Sequence, residues 1–566
     1  MSGLPDGIFV VVGKIKYIQL GEKMKRIVIF VFCLLFIINA AYAQSPLPSE
    51  NLQQSIKQEE RTKALEERVQ EEKKKLEEIE EKVGQDPKDE KIVLLKKLMF
   101  SQSDVLPQSF FDALKQKYEN TKMSVNDIYA IVNAINNEYM LKGYISSQAF
   151  LSKQNINSGD LFISLVEGTI DKINLKGNKY TNEKYIKRYI NFDNADSLNT
   201  NDTNRQIMNF NAANDAKARI VLAPGQVFGT SDIDIVIDEP KWYQINAFID
   251  NAGQDETGII RYGLYSSIRS LTGYRDILNL GGVLSEGSHA AFLSYEIPEP
   301  LFGFRVGAGF NYSDTQIVKG QLEPLNVKGD YYGAYIFLKR PFYVREKTVS
   351  NVSFNAGSGR GASSITGYTA QDAKSDYLSL TGDNMIMTSF GYLYNSLTYT
   401  QGLKIIEGET NFEKITYYGE FYSSIIKYVG AVLKLKGQAA FDIVPASEQF
   451  TIGGDGTVRG YNSGIYMSKN GLAATLEINY SFGFLKYKFL DYLSAFVFGD
   501  YASVLLDKEA DPFAKWSANL FSAGAGIKIG AFKYVEGSFI WAVPLSERDR
   551  EEVHGSKFMF IVQGRI

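Results

Sequence analysis

The sequence is poor in the residues on which most metalloproteins and thiol enzymes depend. Its 566 residues include one cysteine, two histidines and three tryptophans. Cys33 lies in an apolar segment that we expect to be removed, so the exported chain has no thiol for a zinc site, a nucleophile or a disulfide. His289 and His554 are too few and too far apart in sequence to suggest a metal cluster.

Strong net charge and high overall hydropathy are missing as well. The net charge of −4 gives no general attraction to nucleic acid, and a mean hydropathy of −0.17 is too polar for a protein of many membrane helices. The chain is instead rich in tyrosine (35), phenylalanine (36) and glycine (49), with only 14 prolines. This balance is typical of a large β-protein with aromatic girdles.

The N-terminal segment has the pattern of a secretory leader. Residues 1–23 precede a better start at Met24, and we interpret them as a misassigned start. Residues 24–26 are basic, residues 27–38 are apolar, and Ala41 and Ala43 form a small-x-small cleavage pattern. Residues 24–43 are therefore predicted to be a signal peptide that is cut before Gln44. The alternative is an N-terminal membrane anchor.

Residues 44–96 are predicted to contain a polar helix and a linker. The helix covers residues 49–83, and Gly84 and Pro87 end it. Its apolar positions follow a spacing of three to four residues on a Glu/Lys-rich background: Leu65, Val69, Leu76, Ile79 and Val83. Two interpretations stay open, namely a solvated helix or short coiled coil, and a helix that occupies and plugs a polar pore.

Two α+β units of about 70 residues each are predicted next, at residues 97–170 and 171–240. In the first unit we expect a helix over residues 125–141 and strands over residues 100–106, 144–145 and 161–166. In the second unit we expect helices over residues 184–190 and 201–211 and strands over residues 173–175, 217–222 and 233–237. The shared order of elements indicates an internal repeat of architecture.

Residues 241–566 lose the helical pattern and alternate apolar with polar residues. In one such segment, Val429, Ala431 and Leu433 alternate with Gly430 and Lys434. A water-soluble sandwich would bury the apolar face against a second sheet, whereas a membrane barrel turns it to lipid and lines a wet lumen with the charged face. The charged inner face favours the barrel. At about 20 residues per strand and loop, this region accommodates about 16 antiparallel strands.

Several short motifs occur in a fixed order along residues 97–566. In the first unit these motifs are residues 101–106, Tyr139 with 143–145, residues 159–161 and residues 166–168. In the second unit and the barrel they are residues 177–178, 222–225, 229–231, 250–253, 257–258 and 295–298. With these motifs in this order, residues 97–566 resemble the two-partner secretion transporters. The resemblance implies two periplasmic α+β POTRA domains followed by an all-β transmembrane barrel.

The most specific motif is a glycine-rich loop that contains Val458, Arg459, Gly460 and Tyr461. In the family this loop folds back into the barrel, and its arginine pairs with the aspartate of a Phe-x-Asp-x-Gly strand. The resemblance therefore implies that Asp500, which follows Phe498, is the partner of Arg459, although Ala502 stands where glycine is usual. From the residues alone, a surface loop with an exposed arginine is the alternative.

An enzymatic or nucleotide-binding role is not expected. The loop lacks the Gly-Lys-Ser/Thr ending of a phosphate-binding loop, and neither histidine lies in a Ser-His-Asp pattern. The resemblance implies no catalytic residues, cofactor or metal, and no nucleic-acid partner.

The resemblance also implies a place and partners for the protein. We expect it in the outer membrane of a Gram-negative-type bacterium, surrounded by lipid, with the POTRA domains in the periplasm. The implied partners are a large haemolysin-like or adhesin-like exoprotein and the barrel assembly machinery, and the apolar C-terminal residue, Ile566, is compatible with insertion by that machinery. An assembly factor of the same superfamily is the alternative function, and a passive porin does not explain the tandem periplasmic units.

Overall fold

The computed structural model describes residues 92–192, 197–299, 303–405, 411–483, 488–506, 517–546 and 555–566. The predicted leader, the polar helix at residues 49–83 and His554 lie outside these residues. The described chain forms two small α+β domains followed by a closed β-barrel.

The first domain packs two helices against a three-stranded sheet. The helices are α1 (Gln108–Tyr118) and α2 (Val125–Leu141). The strands are β1 (Val93–Leu95), β2 (Lys97–Phe100), β3 (Thr121–Met123), β4 (Gln148–Phe150) and β5 (Asp160–Val166). The sheet order is β2-β5-β4, and β1 pairs with β3. Strand β1 lies before residue 97, the predicted lower bound of this domain, although it pairs with β3 inside the domain.

Helix α2 has the bounds that the sequence predicts, and its local chemistry explains them. Ser124 caps the helix and Asp127 returns the bond, which together form a capping box. The hydrogen bonds from Ser124 lower the pKa of Asp127. The apolar positions that face the sheet are all buried: Ile128, Ile131, Val132, Ile135 and Tyr139.

Two strand predictions in this domain are wrong. The strand predicted over residues 100–106 ends at Phe100, because the Glu167 carboxylate accepts bonds from the backbone N–H groups of Asp104 (2.8 Å) and Val105 (3.3 Å) and turns the chain. The strand predicted over residues 144–145 is a turn, and pairing with β5 begins only at Gln148.

The second domain repeats the arrangement. Its elements are β6 (Thr169–Lys176), α3 (Glu183–Tyr189), α4 (Thr200–Ala213), β7 (Lys217–Pro224) and β8 (Thr230–Asp238), with the sheet order β6-β8-β7. Strand β6 crosses the predicted border between residues 170 and 171. The core of the second domain contains Tyr185, Ile186 and Phe210 among its fully buried side chains.

Sixteen antiparallel strands then form a closed barrel, in agreement with the expected number. The first eight are β9 (Tyr243–Asp250), β10 (Arg261–Arg269), β11 (Ile277–Leu284), β12 (Ser288–Pro298), β13 (Arg305–Gln316), β14 (Lys328–Arg345), β15 (Thr348–Ile365) and β16 (Tyr368–Thr388). Next come β17 (Gly391–Leu403), β18 (Phe412–Ile426) and β19 (Val429–Ala440), after which β20 (Phe450–Ile452) and β21 (Tyr466–Ser468) form a separate ladder. The barrel continues with β22 (Asn470–Ser481), β23 (Leu490–Leu505), β24 (Ser517–Ala531), β25 (Val535–Pro544) and β26 (Lys557–Arg565), and β26 pairs with β9.

The two faces of the barrel wall differ as the alternation predicts. On β22, Leu476 and Ile478 are 49% and 44% exposed, whereas Glu477 between them is buried. Apolar side chains therefore cover the outside, and polar side chains point into the lumen. Within the described residues, no helix is both long enough and apolar enough to cross a membrane.

A turn of the barrel inserts into the second domain. We call residues 270–276, between β10 and β11, the joint turn. Its residue Arg275 is fully buried and donates to both carboxylate oxygens of Asp215, with a distance of 2.9 Å from Nε to Oδ1. The backbone N–H of Asn182 donates to the carbonyl of Gly273 at 2.8 Å. The second domain is thus fixed to the end of the barrel at which β9 begins.

Candidate functional site

The predicted motif lies on the connection between β19 and β22, residues 441–469, which we call the lumenal loop. Strands β20 and β21 pair with each other inside this loop. The tip between them is folded against the inner barrel wall, where Val458 and Phe450 are fully buried in a cluster with Ala502, Val504 and Leu520 of the wall. Ala502, which departs from the family motif, fills part of this contact.

Glycines allow the tight path of the tip. Gly453, Gly454 and Gly460 have φ angles of +103°, +80° and +90°, a region that residues with a Cβ rarely adopt. At Gly453 a Cβ would lie 2.3 Å from the carbonyl oxygen of Asn462. The Thr457 hydroxyl accepts from the N–H of Gly453 at 2.9 Å and donates to its carbonyl at 3.1 Å, which closes the turn.

Arg459 contacts Asp500 through two parallel hydrogen bonds. Its Nε and Nη2 lie 2.8 and 2.9 Å from the two carboxylate oxygens of Asp500, and its backbone N–H donates to the same carboxylate at 3.1 Å. Asp500 is fully buried, and Arg459 is 8% exposed. Charge-assisted bidentate pairs of this kind are strong and fix orientation, and both properties increase where water is excluded.

Three further side chains complete the arginine site. The Nη1 atom of Arg459 donates to Glu477 at 3.2 Å, and its Cζ lies 3.5 Å from the centroid of the Phe498 ring. Lys528 donates to the other oxygen of Glu477 at 2.5 Å. The site therefore contains two cations and two carboxylates from the loop and three neighbouring strands, and their charges balance.

Sequence reasoning did not identify Glu477 or Lys528. A signal for Glu477 was present, because a carboxylate between the outward-facing Leu476 and Ile478 has to point into the lumen. What the sequence lacks is the register that places Glu477 opposite Phe498 across β22 and β23.

The other predicted motif residues contact the barrel wall at β24 and at the end of β25, beyond the strands that Arg459 contacts. Tyr461 is buried, and its hydroxyl accepts from the N–H of Ser546 at 3.0 Å and lies 3.0 Å from the carbonyl of Phe521. A Cβ on Gly460 would lie 3.1 Å from the Cβ of Ala542 on β25. The motif thus spans the lumen-facing side of β22 to β25.

A second ion pair holds the base of the lumenal loop. Lys414 on β18 is fully buried and donates to the Glu448 carboxylate and, at 3.1 Å, to the Glu448 carbonyl. Gln438 donates to the same carbonyl at 2.8 Å. Lys436 holds the tip, since its Nζ donates to the carbonyl of Gly456 at 2.8 Å. The loop is thus fixed along its length.

This chemistry is that of a structural clamp. The guanidinium has no acceptor role, and the carboxylates that surround it are paired. Within the part of the chain that the structure describes, no group of three or more His, Cys, Asp and Glu side chains is placed to hold a metal ion.

Comparisons with known proteins agree with this architecture. The family model described as haemolysin secretion/activation protein ShlB/FhaC/HecB matches residues 229–529, and the model of the ShlB-type POTRA domain matches residues 93–168. The outer membrane transporter CdiB of Dickeya dadantii is 24% identical over 429 residues, which are 68% of this chain and 72% of that protein. The heme/hemopexin transporter protein HuxB of Haemophilus influenzae is 22% identical over 440 residues, 73% of this chain and 76% of that protein.

Solved structures show the same fold. CdiB from Escherichia coli superposes with a TM-score of 0.68 at 18% identity, and the match covers 93% of this chain and all (100%) of that one. BamA from Haemophilus ducreyi lacking POTRA domains 1–3 gives a TM-score of 0.53 at 16% identity, with 84% of this chain and 100% of that chain covered.

The fold and the loop define an outer-membrane barrel transporter with N-terminal POTRA domains in the periplasm. The chain belongs to the haemolysin secretion/activation protein family ShlB/FhaC/HecB, whose members are two-partner secretion transporters. This family is one of secretion channels and not of enzymes.

Proposed function

We propose that this protein captures an unfolded exoprotein with its POTRA domains in the periplasm and secretes it through the barrel lumen. The observation that carries the proposal is the closed barrel of polar interior, with a clamped loop inside it, fixed to tandem domains at its periplasmic end. The relatives are transporters by name, which supports transport as the task. Folding of the exoprotein outside the cell supplies the direction, so no nucleotide is required.

The outer edge of β7 in the second domain suits an extended segment of the partner. Within the described residues, β7 pairs with β8 on one side and with no strand on the other. Alternate residues of this eight-residue strand present main-chain donors and acceptors at that edge, and addition of a strand there gives affinity with little demand on sequence.

The alternation of backbone groups identifies the free positions on β7. The side chain of Asn211 on α4 accepts from the N–H of Ala218 at 2.6 Å and donates to its carbonyl at 3.0 Å. Ala218 therefore points its backbone groups away from β8, and by the two-residue period Ile220 and Leu222 do the same. These two residues form the part of the edge that a partner segment can pair with.

The first domain has the same cap on a shorter edge. Asn136 on α2 accepts from the N–H of Ala149 at 2.6 Å and donates to its carbonyl at 3.2 Å. Strand β4 has only three residues, and Ala149 is its centre, so the cap takes up most of that edge. We therefore place strand addition on β7 and assign the first domain a supporting contact.

Replacement of Leu222 by proline tests the capture edge. We expect Leu222→Pro to weaken binding of an extended exoprotein segment about tenfold relative to Leu222→Ala, because only proline removes the outward N–H and leaves a partner carbonyl unpaired. Leu222→Ala is the matched control for the lost core side chain. Binding is measured on the purified full-length protein, with the partner sought as a long, signal-bearing repeat protein from a neighbouring gene.

Deletion of residues 93–168 separates the two domains in the same assay. Retained binding supports β7 as the capture edge, whereas loss of binding together with equal affinity of the proline and alanine variants places capture on the first domain.

The clamp around Arg459 is assigned to transport and not to recognition of the partner. Val458, Gly460 and Tyr461 seat the tip on the wall, and Arg459 is fixed to Asp500 against the Phe498 ring. This arrangement keeps the lumenal loop at one depth in the pore, where it sets the free cross-section.

We propose that the barrel contacts two further components of the cell, namely outer-membrane lipid and the machinery that inserts it. Apolar side chains such as Leu476 and Ile478 face outward and suit outer-membrane lipid. A barrel of this type needs the cellular assembly machinery for insertion, and that machinery is its second proposed partner.

Assembly of other barrels by this chain remains the alternative function, and secretion of the exoprotein by the purified transporter in lipid vesicles distinguishes the two.

A further inference from the structure

The barrel closes at a short ladder between its first and last strands. We call the junction of β9 and β26 the seam. It contains five register pairs, from Ile561 opposite Asp250 to Arg565 opposite Asn246. The neighbouring junctions, β9 with β10 and β25 with β26, contain eight register pairs each. On the extracellular side, the register pairs of the seam therefore end at Asp250.

The alternation of the seam shows which bonds are missing there. Ile245 and Ile566 exchange both main-chain bonds, at 3.1 and 3.0 Å. In an antiparallel ladder this double exchange recurs every second residue, so Asn251 and Phe560 are due to form such a pair. The N–H of Asn251 does donate to the Phe560 carbonyl, at 3.3 Å, but the N–H of Phe560 does not return to the Asn251 carbonyl.

The side chain of Asn251 supplies the missing groups. Its Oδ1 accepts from the N–H of Phe560 at 2.7 Å, and its Nδ2 donates to the carbonyl of Phe558 at 2.8 Å. Residue 253 would provide that second donor if β9 continued, but the N–H of Gly253 bonds to Ile259 at 2.9 Å instead. Since Phe560 N–H can only donate and Phe558 carbonyl can only accept, the orientation of the amide is fixed.

A second asparagine joins the same end of the seam to the lumenal loop. Asn462, which follows the arginine motif, donates through Nδ2 to Asp255 at 3.0 Å and accepts at Oδ1 from Lys557 at 3.1 Å. Asp255 lies on the connection after β9, and Lys557 begins β26. One amide of the loop therefore bridges both sides of the seam.

We propose that Asn251 and Asn462 are positioning residues that close the extracellular end of the barrel seam, Asn251 as a substitute for a strand backbone and Asn462 as a bridge that ties closure to the lumenal loop. The proposal concerns barrel closure and holds whichever partner the pore transports. It implies that displacement of the loop from Asp500 loosens β26, although Arg459 itself touches neither β9 nor β26.

Substitution of Asn251 by aspartate separates backbone mimicry from simple filling of space. Asp has the same size and keeps the acceptor but loses the donor, and it faces the Phe558 carbonyl with an oxygen. We expect Asn251→Asp to raise amide hydrogen exchange in the peptide of residues 557–566 about tenfold, and we expect the same of Asn251→Ala. Exchange is measured on the purified full-length protein in detergent, with the β15 peptide as the internal reference.

Asn279→Asp is the matched control. The Oδ1 of Asn279 accepts from the Ser267 hydroxyl at 2.7 Å, and its Nδ2 donates to the Ser294 hydroxyl at 3.4 Å. Because a hydroxyl can donate as well as accept, both serines can also bind the carboxylate of an aspartate. We expect this variant to leave the exchange of β26 unchanged. Equal exchange in Asn251→Asp and the unaltered protein overturns the strand-substitute role.

The tie to the loop is tested in the same peptide. We expect Asn462→Ala and Arg459→Ala to raise the exchange of residues 557–561, and unchanged exchange in both overturns the bridge. If Asn251→Asp does not assemble in the outer membrane while Asn279→Asp does, the seam depends on the amide donor, and Asn462→Ala then carries the measurement of exchange.

Discussion

Arg459→Ala is expected to reduce secretion of the exoprotein at least tenfold while the barrel remains in the outer membrane. The substitution removes three side-chain bonds and leaves Asp500 fully buried without its cation. Loss of one partner from a buried ion pair destabilises by about 3–5 kcal/mol, so the loop tip is released from the wall. Secretion is measured as the exoprotein in the medium, normalised to the amount of transporter in outer-membrane fractions.

Arg360→Ala is the matched control for this result. Arg360 also forms a bidentate pair, with Asp372 at 2.7 and 2.5 Å, but the two side chains are 38% and 33% exposed. An exposed pair contributes little, so this variant is expected to secrete normally. The double variant Arg459→Ala with Asp500→Ala removes the orphaned charge; we expect it to recover resistance to heat but not secretion. Normal secretion by Arg459→Ala contradicts the role of the clamp.

Arg275→Ala is expected to have the second-largest effect, through release of the second domain from the barrel. Arg275 is fully buried between Asp215 and Glu239, with Glu239 4.0 Å away. Its backbone carbonyl also accepts from Arg305 at 2.7 Å, and Arg305 contacts the carbonyl of Ala213 at 3.3 Å. Removal of the guanidinium leaves Glu239 without its cation and Asp215 with only the longer pair to Arg269, at 3.4 Å. Loss of one partner from a buried ion pair costs about 3–5 kcal/mol.

The expected readouts are faster proteolysis between β8 and β9 and a fall in secretion of about tenfold. Arg205→Ala, which breaks an exposed pair with Asp202 on α4 of the same domain, is the control and is expected to change neither. Unchanged proteolysis in Arg275→Ala means that other contacts of the joint turn suffice, such as the bond from Ser270 to the carbonyl of Tyr180 at 2.7 Å.

The local elements were predictable because their causes are local. Helix α2 follows from five apolar positions at helical spacing, and the barrel follows from a two-residue alternation that persists over several hundred residues. Helix α1 was not predicted: only Phe111 and Leu114 of its residues are buried, so its periodic signal is weak. The strand expected over residues 100–106 failed because a distant carboxylate, Glu167, competes for its backbone groups.

The residues of the candidate site were predictable only where they belong to a sequence motif. Arg459 and Asp500 were singled out by a resemblance, and the structure brings them together. Strand register and the path of the loop determine which other side chains reach the site, and sequence periodicity fixes neither. This is why the contacts of Glu477, Lys528 and Lys414 were not predicted. Asn251 illustrates the limit best: it stood within a recognised motif, but its role depends on a ladder that is completed by a strand about 300 residues later.

The central claim is that the exoprotein crosses the lumen of this barrel, and neighbouring residues on β15 test it directly. Asn355 points inward and donates to Ser379 at 3.1 Å, whereas Phe354 is 43% exposed on the outer face. A photo-crosslinking residue is placed at either position, and the exoprotein is stalled by a stably folded C-terminal domain. The account predicts cross-links to the stalled chain from position 355 and none from position 354. Absence of cross-links from position 355, or equal cross-linking from both positions, would contradict it.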